Sequence, residues 1–581
     1  MEANHCTPLT TLLGSSGRRL RYYTDVPGYH IENFGCRATQ ADGAALERQF
    51  DRLGVARTGL AQASVVVLNT CTVTAAADQD ARAAIRRTRR QNPGAKIVVT
   101  GCYAQRAPEE IASLPGVSLV IGNSHKHQLA EIVAAQESAG AHLNFPDDFP
   151  WGASGSAMNA NGEEEMSAPQ GAFVPLSTLT AMQSTGGGSA IFVSDIFAHT
   201  ELLAAPVFDA AGGSHGHPRT RPNLKVQDGC DNRCSFCVIP YVRGRSRSLT
   251  MERIIGEVNN LVESGYREVV ISGINLGRWG RDLPTRGTVD GLARPGETGS
   301  TGSREARAES HNPTVESLIR AILAETGLEK LRISSVEPMD WSDDLITLVA
   351  SSPRIAKHAH VPMQSGSDTV LRRMHRKYRP WHYRGKIEKI RSAMPDAAIG
   401  ADVMVGFPGE TDAEFEATRS MVEDLPFTYL HVFTYSPRPG TPAASMKDQV
   451  PIHVARERNR ILRDLAAQKK LAFMRGFIGK SVEAISLRSG EVPSARVHPA
   501  DALDSGASGL GGAAVFSRDF SAGRDSGLPA SRSGHRDQKP DFTEALTDSY
   551  LKLYLRGCHD PNRWLRVHVE DVVDGALVGV I

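Results

Sequence analysis

The sequence predicts an α/β protein with an N-terminal parallel α/β domain, a partial (β/α)6 barrel and a small C-terminal β-barrel. Three observations lead to this prediction. Apolar segments alternate with amphipathic segments between residues 29 and 123, the same alternation resumes at residue 224, and short strand-like segments end the chain. Strands that alternate with helices indicate a parallel sheet with helices on its faces. Short strands in succession fit a small barrel.

The composition excludes several classes of protein. The chain has 581 residues and a net charge of +1, so binding to nucleic acid must depend on local basic patches. No apolar run is long enough to span a bilayer, and the N-terminal segment lacks the apolar core of a secretory signal. Eight cysteines are too few for a disulfide scaffold. We therefore expect a cytoplasmic protein without a membrane partner, and a monomer.

The first domain is expected over residues 29–135. Its two clearest helices are predicted at Ala41–Leu53 and Ala75–Arg90, where small and apolar residues recur at helical spacing. Its strands are predicted at 30–34, 65–69, 96–100 and 118–121.

Three cysteines of this domain occupy equivalent positions. Cys36, Cys71 and Cys102 follow the first, second and third strands. The carboxyl ends of parallel strands form the crevice where open α/β sheets bind ligands. We therefore expect the three thiols to meet in space. The alternative is that they are small buried apolar residues.

A change of composition separates the first domain from the second. Residues 139–222 are rich in Gly, Ala and Ser, which predicts a flexible insertion or linker. Within it, residues 191–193 and 207–208 could form strand fragments.

The second domain is expected over 223–450, with an insertion at the Gly- and Arg-rich stretch 281–311. Helical segments separate six candidate strands, so chemistry is expected at the carboxyl ends of the strands. The strands are predicted at 224–227, 268–272, 330–334, 358–362, 398–405 and 429–435.

A loop with three cysteines follows the first barrel strand. Cys230, Cys234 and Cys237 are so close that their thiolates would repel one another unless a cation binds them. A zinc knuckle is one alternative, but it needs four ligands and no fourth Cys or His follows at the usual spacing. Unpaired buried thiols are another. The CxxxCxxC spacing, with Phe236 before the last cysteine, resembles the loop of radical S-adenosylmethionine (SAM) enzymes that holds a [4Fe-4S] cluster.

The chain is expected to end in an RNA-binding part. Residues 451–477 predict a helix rich in Arg and Lys, and 478–581 predict a small β-barrel of a kind that binds RNA. A Gly- and Ser-rich stretch at 489–544 is predicted to interrupt it. The strands are predicted at 482–487, 550–555, 565–569 and 577–581.

These features together resemble the radical-SAM methylthiotransferases. The resemblance covers residues 29–130 and 222–475 and, more loosely, 478–581, which is similar to the family's TRAM domain. It implies that Cys36, Cys71 and Cys102 hold an auxiliary [4Fe-4S] cluster, so that the protein carries two such clusters and binds SAM. It also implies an electron donor. SAM would serve both as methyl donor and as the source of a radical that removes the C2 hydrogen of adenine.

Four motifs most resemble one subgroup, which methylthiolates N6-threonylcarbamoyladenosine at position 37 of tRNA, in the anticodon loop. One departure is the absence of an Asn before Gln40, which leaves the neighbouring Cys36 in place. The alternatives are isopentenyladenosine in tRNA, an aspartate of a ribosomal protein, and a zinc-stabilised RNA-binding module without catalysis. The motifs are Asn69–Thr74, Val99–Gln105, Lys225–Cys230 and Tyr241–Ser248.

The resemblance also implies SAM contacts near the strand ends, and the segments 360–366 and 406–410 would form further walls of the pocket. The implied SAM-contacting residues are Phe236, Gly273, Asn275, Ser335 and Glu337.

Basic residues near the strand ends are candidate RNA contacts. Tyr378 is expected to stack on a base. The candidate RNA-binding residues are Arg243, Arg245, Arg247, Arg376 and Lys377.

Overall fold

The computed structural model describes residues 28–138, 189–200, 202–203, 220–284, 312–487 and 542–581. Within these residues it contains the three architectural parts that the sequence predicts: a parallel α/β domain, an open barrel and a closed five-stranded β-barrel. The predicted fold class is confirmed. No helix among the described residues is long and apolar enough to cross a membrane.

The N-terminal domain is a five-stranded parallel sheet in the order β1-β2-β3-β4-β5, with apolar cores on both faces. All six residues of its second strand are buried, as expected for a central strand covered on both sides. Its elements are β1 (Tyr29–Asn33), α1 (Arg37–Arg52), β2 (Val65–Thr70), α2 (Ala75–Gln91), β3 (Lys96–Gly101), α3 (Cys102–Arg106), α4 (Pro108–Ala112), β4 (Val117–Ile121), α5 (Leu129–Ser138) and β5 (Ala190–Phe192).

Strand β5 lies inside the stretch 139–222 that we predicted to be a flexible linker, and it overlaps the strand fragment predicted at 191–193. It pairs in parallel with β4, where Leu119 lies opposite Ala190. Its apolar side chains pack on the domain core, which composition averaged over a long Gly- and Ser-rich stretch could not reveal. Part of the predicted linker therefore belongs to the sheet. The fragment predicted at 207–208 lies outside the described residues.

The second domain is an open barrel built from two sheets, in the orders β7-β6-β8-β9 and β10-β11-β12. Its six predicted strands are all present, and the short β7 adds an antiparallel edge. The elements are β6 (Asn223–Asp228), α6 (Ile239–Arg243), β7 (Arg247–Ser248), α7 (Met251–Glu263), β8 (Glu268–Gly273), α8 (Val315–Glu325), β9 (Lys330–Ile333), α9 (Asp343–Ser351), β10 (His358–His360), α10 (Asp368–Arg373), α11 (Pro380–Ala393), β11 (Ala398–Val405), α12 (Asp412–Asp424), β12 (Tyr429–Thr434) and α13 (Ile452–Arg475).

The two faces of the barrel strands differ in chemistry. Successive side chains of a strand point to opposite faces, and one set packs against the helices in a single apolar core. The other set, which we call the inner face, is polar and aromatic instead of the branched apolar filling usual in closed barrels. The inner face of this barrel is therefore suited to a ligand. It includes Lys225, Gln227, Glu268, Arg332, His358, His360, Asp402, Tyr429, His431 and Phe433.

The C-terminal part is a closed barrel in the order β13-β14-β15-β17-β16. Strand β14 begins inside the stretch 489–544 that we predicted as an insertion. Its six residues alternate weakly in polarity, and its place is set by pairing with two other strands. The strand predicted from residue 550 starts later, because Tyr550 occupies a turn with φ of 63°. The strands are β13 (Ser481–Ser486), β14 (Phe542–Thr547), β15 (Lys552–Arg556), β16 (Trp564–Val573) and β17 (Ala576–Val580).

Candidate active site

The three-cysteine loop begins directly after β6. Gly229 has a φ of 71°, and a side chain there would overlap the carbonyl of Arg245, so the position requires glycine. The amide of Cys230 donates to the carbonyl oxygen of Gly244 at 3.1 Å, and the amide of Ser235 donates to that of Met374 at 3.1 Å. Backbone contacts at both ends therefore fix the loop at the carboxyl edge of the barrel.

Two thiols of this loop, those of Cys230 and Cys237, ionise poorly without a cation. Burial, with the neighbouring Cys234, raises the pKa of Cys237 to about 12, and burial also raises the pKa of Cys230. Donors nevertheless point at the sulfurs: Asn275 Nδ2 lies 3.7 Å from Cys230 Sγ, and Arg376 lies 3.3 Å from Cys234 Sγ. Sulfurs that accept hydrogen bonds but ionise poorly alone are suited to thiolate ligands of iron, whose charge stabilises the ionised form.

The N-terminal cysteines also come together. Cys36 caps α1, Cys71 follows β2 and Cys102 begins α3. Gly35 lies so close that a Cβ atom there would stand 2.6 Å from Cys71 Cβ. Burial and the charges of Cys36 and Cys102 together raise the pKa of Cys71 to about 12. The structure therefore brings together the three thiols expected at this crevice.

Neither group of cysteines has the spacing of a zinc site. Four ligands at about 2.3 Å from zinc would place the sulfurs about 3.8 Å apart. Among the described residues, three ligand atoms within 4.8 Å of one another occur only at His360, Asp402 and His431. The wider spacing of the cysteines favours a cluster over a single ion.

Helix α6 connects the two groups of cysteines. It starts two residues after Cys237, and Cys102 packs against Val242 within it and against Val238, which precedes it. Asn123 Nδ2 donates to the carbonyl oxygen of Val242 at 2.7 Å and lies 3.6 Å from Cys102 Sγ. Both groups of thiols therefore adjoin one short helix.

A buried network of charges joins the two domains beside α6. Asp42 of α1 pairs with Lys126 at 3.1 Å, with Arg243 at 3.0 Å and with Lys225. Asp228 pairs with Lys225 at 2.7 Å and with Arg243 at 2.9 Å. Burial alone would raise the pKa of Asp42, but the three cations lower it to about 2. The network holds α1 against β6.

The expected SAM-contacting residues surround the first loop. Asn275 is buried, and its Oδ1 has no hydrogen-bond partner in the described chain. A Cβ atom on Gly273 would stand 2.8 Å from Gln227 Oε1. Phe236 meets the ring of Phe407 edge-on at 6.5 Å. The unsatisfied acceptor of Asn275 beside Cys230 is what a polar ligand of the loop would use.

A small cleft opens beside Cys234 and is lined by Glu337 and Arg376. These two side chains form an ion pair. Ser335 is half-buried two residues before Glu337. The cleft therefore places a carboxylate and a guanidinium next to the cluster loop.

Two family models match the chain. The "Uncharacterized protein family UPF0004" matches residues 28–122, and the "Radical SAM superfamily" matches residues 224–422. The threonylcarbamoyladenosine tRNA methylthiotransferase of Bacillus subtilis is 34% identical over 74% of this chain and 78% of that protein.

The chain belongs to the radical SAM methylthiotransferase family.

Other family members show similar identity. The Thermotoga maritima protein of the same name is 31% identical over 78% of this chain and 86% of its own length. The tRNA-2-methylthio-N(6)-dimethylallyladenosine synthase of Salinispora arenicola is 32% identical over 79% of this chain and 76% of its own length. A radical SAM methyltransferase from Kitasatospora setae aligns with a TM-score of 0.47 and 14% identity, over 72% of this chain and 74% of that one. The chain is thus a methylthio-transferring enzyme that uses SAM and an iron–sulfur cluster.

Two of the arginines expected to contact RNA are buried in this methylthiotransferase. Arg243 is 2% exposed and pairs with Asp42 and Asp228, while Arg247 is 9% exposed. Arg247 donates to the carbonyl oxygens of His199 at 3.0 Å and of Arg243 at 2.8 Å. The prediction was wrong for both, because their partners are brought in by folding. Arg245, between them, is exposed.

The second group of candidate RNA-contacting residues, at 376–378, also contains both buried and exposed side chains. Arg376 is buried and contacts Cys234 and Glu337, so it belongs to the cluster loop and not to an RNA surface. Tyr378 is also buried, and its hydroxyl donates to the carbonyl oxygen of Met363 at 2.7 Å, which excludes base stacking. Lys377 is exposed. Of the five candidate residues, Arg245 and Lys377 remain accessible to RNA.

Most residues of the inner face were not predicted as site residues from the sequence. His360 and His431 lie on opposite sides of Asp402, with ring nitrogens 3.3 Å and 3.2 Å from its Oδ1. Burial would raise the pKa of Asp402, but the two imidazoles hold it well below its usual range. His358 Nε2 lies 2.7 Å from the hydroxyl of Tyr429. The sequence pattern that could have revealed the inner face is the recurrence of polar or aromatic residues at every second position of the predicted buried strands.

Proposed function

We propose that this enzyme adds a methylthio group to C2 of N6-threonylcarbamoyladenosine at position 37 of tRNA. The observation that supports the proposal is that both groups of cysteines adjoin α6, which begins two residues after Cys237 and packs against Cys102, so that two bound clusters would lie near each other. Four motifs of the chain resemble the threonylcarbamoyladenosine subgroup, and relatives from several bacteria bear that name.

The residues present fit two [4Fe-4S] clusters. Cys230, Cys234 and Cys237 would hold one and leave a coordination position for SAM, and the N-terminal group Cys36, Cys71 and Cys102 would hold the other. When bound, these groups supply the one-electron chemistry and the sulfur needed to replace the unreactive C2–H bond of adenine.

The chain's own residues bind and orient the reactants. The Oδ1 of Asn275 is free to accept a hydrogen bond from SAM, and Glu337 can accept from its ribose hydroxyls. Gly273 lets the ligand approach the backbone of β8. Ser335 and Phe236 complete this side of the pocket. The polar inner face would receive the nucleoside.

RNA would approach through the exposed Arg245 and Lys377, near the cluster loop, and through the C-terminal barrel. Because the proposed substrate is tRNA, we place the enzyme in the cytoplasm, acting as a monomer with an external electron donor.

Mass spectrometry of nucleosides tests the proposed substrate. Deleting the gene should remove 2-methylthio-N6-threonylcarbamoyladenosine from tRNA, and the wild-type gene should restore it. Cys234→Ala should not restore it, whereas Cys558→Ala, which changes an exposed cysteine outside both groups, should. Unchanged methylthiolation of this nucleoside in the deletion strain would refute the proposal. Loss of the dimethylallyl product, or of the modified ribosomal aspartate, would instead assign another member of the family's substrates.

A further inference from the structure

The anions of the inner face have charged partners close by. Glu268 pairs with Arg332 at 2.6 Å and with Arg221 at 3.6 Å. Asp402 lies between the rings of His360 and His431. These anions each have cationic or ionisable partners within contact distance, so they leave no local demand for a further cation.

Arg37, which adjoins the inner face through Tyr550, has no such partner among the described residues. It is the first residue of α1, directly after Cys36, and it is exposed. In the described part of the chain, no carboxylate lies within 4.0 Å of its guanidinium. Its Nη2 donates to the hydroxyl of Tyr550, in the C-terminal barrel, at 3.0 Å. Four further N–H donors of this side chain are directed to no protein acceptor, which suits a site for an anion.

A row of rings connects Arg37 to the open part of the inner face. The ring of Tyr550 lies 5.1 Å from that of His358 and 6.4 Å from that of Tyr429. From Tyr429 the next ring, that of His431, is 5.3 Å away, and the His431 side chain is 56% exposed. Planar side chains that reach the solvent are suited to stacking with a base. A base stacked there would continue the row of rings that begins beside Arg37.

We propose that Arg37 binds the carboxylate of the threonylcarbamoyl group and so selects this nucleoside over one with an uncharged N6 substituent. The inference rests on the proposed function. A guanidinium matches a carboxylate through two parallel hydrogen bonds, whereas a dimethylallyl group offers it nothing. In adenine, C2 and the carbon that bears N6 are bonded to the same ring nitrogen. The reacting carbon and the N6 substituent are therefore close to each other, as Cys36 and Arg37 are in the chain. Residues 36 and 37 could therefore serve sulfur transfer and substrate recognition side by side.

A phosphate of the RNA backbone is the other anion that Arg37 could bind. The two candidate anions, carboxylate and phosphate, predict different effects on binding when the threonyl carboxylate is neutralised. If Arg37 binds the threonyl carboxylate, converting that group to its methyl ester removes the contact. If Arg37 binds phosphate, the ester and the acid bind alike.

The test is equilibrium binding of tRNA anticodon stem-loops to the cluster-loaded protein without reductant. The stem-loops carry N6-threonylcarbamoyladenosine, its methyl ester, or dimethylallyladenosine. The proteins are wild type, Arg37→Gln, Arg37→Lys and Tyr550→Phe. Arg52→Gln is the matched control, because Arg52 is exposed on the same helix about 22 Å along its axis. Iron content is measured for every variant, since Arg37 neighbours Cys36.

Wild type and Arg52→Gln should bind the acid about 10- to 100-fold more tightly than the ester, the range expected for hydrogen bonds between charged groups. Arg37→Gln should lose this preference without weakening its binding of the ester. Arg37→Lys should keep part of it, and Tyr550→Phe should reduce it.

Equal binding of acid and ester by the wild-type protein would overturn the inference, even if Arg37→Gln lost its cluster. Parallel weakening of both by Arg37→Gln would assign the residue to phosphate and would also overturn it. Either result leaves the proposed function intact if the wild type methylthiolates the threonylcarbamoyl nucleoside in the nucleoside assay.

Discussion

At the scale of single residues, the site depends on side chains whose ordinary chemistry is altered by burial. Cys71 shows this effect: burial and its two neighbouring thiols raise its pKa to about 12. Without a cation it would remain a thiol at neutral pH, so ionisation and metal binding are coupled.

Cys71→Ala should therefore remove one cluster and leave the other. We expect iron per chain to fall from about eight to about four after anaerobic reconstitution. SAM cleavage to 5′-deoxyadenosine should persist, while methylthiolation should stop. Iron and sulfide analysis with product chromatography would measure both. A variant that kept about eight irons would contradict the assignment of Cys71.

Gly400 tests the inner face without touching a cysteine. A Cβ atom on this residue would overlap the ring of Tyr429. Gly400→Ala should displace that ring and lower kcat/KM for tRNA by about 10-fold or more, as expected for a misplaced binding group. Iron content should be unchanged.

Gly385→Ala is the matched control, because a Cβ atom there meets no atom within 4 Å and the residue lies inside α11. This control should keep full activity and gain about 0.5–1 kcal/mol of stability. Full activity in Gly400→Ala would show that the position of Tyr429 does not matter.

The sequence located the cysteines but misassigned the arginines, and the reason is physical. Cysteine spacing is local, whereas the burial of Arg243 depends on Asp42, 201 positions away in the chain. No local pattern distinguishes an arginine that pairs with a distant carboxylate from one that faces solvent. Arg245 is exposed between two buried arginines, which shows that an Arg-rich motif does not reveal which of its arginines face solvent.

At the scale of elements, α1 is the piece that joins the N-terminal domain to the barrel. Its residue Asp42 faces Lys126, Lys225 and Arg243, and all four side chains are buried. Removing one partner of such a network leaves uncompensated charge in the interior.

Asp42→Asn should therefore destabilise the protein by about 3–5 kcal/mol. The control Asp424→Asn, which breaks an exposed pair with Arg384, should cost about 1 kcal/mol or less. Denaturant unfolding of the two variants under the same anaerobic conditions would measure the difference. Equal losses would show that the buried network does not stabilise the docking of α1.

The strands of the central barrel were more predictable than strands flanked by Gly- and Ser-rich sequence. The six parallel barrel strands are apolar on the face that meets the helices, so their pattern is strong. Strands β5 and β14 are short and flanked by Gly- and Ser-rich sequence, and each becomes a strand through pairing with its neighbours. Tertiary pairing of this kind leaves little trace in local sequence.

At the scale of the whole molecule, the ends of two long segments lie side by side. Gly280 is so close to Pro313 that a Cβ atom on it would overlap the Pro313 carbonyl. The amide of Leu487 donates to the carbonyl oxygen of Glu544 at 2.8 Å. The framework on each side is therefore already closed by direct contacts.

Replacing residues 490–540 with a short Gly-Ser turn should keep the fold and the activity. Closing a shorter loop costs less entropy, so the melting temperature should stay equal or rise. We expect tRNA methylthiolation within about 2-fold of wild type, since surface connections tolerate such changes. A large loss of activity with normal iron content would instead assign the removed segment a role in substrate binding.

The contact between Tyr550 and Arg37 has a consequence for building chimeras. Tyr550 comes from the C-terminal barrel, Arg37 from the N-terminal domain, and the Arg332 guanidinium that lies 5.3 Å from the Tyr550 ring comes from the central barrel. A C-terminal domain transplanted from a relative with another nucleoside preference would bring its own residue to this junction. Exchanging that domain should therefore alter substrate choice as well as RNA affinity, and a functional hybrid should require residues 37, 332 and 550 to be exchanged together.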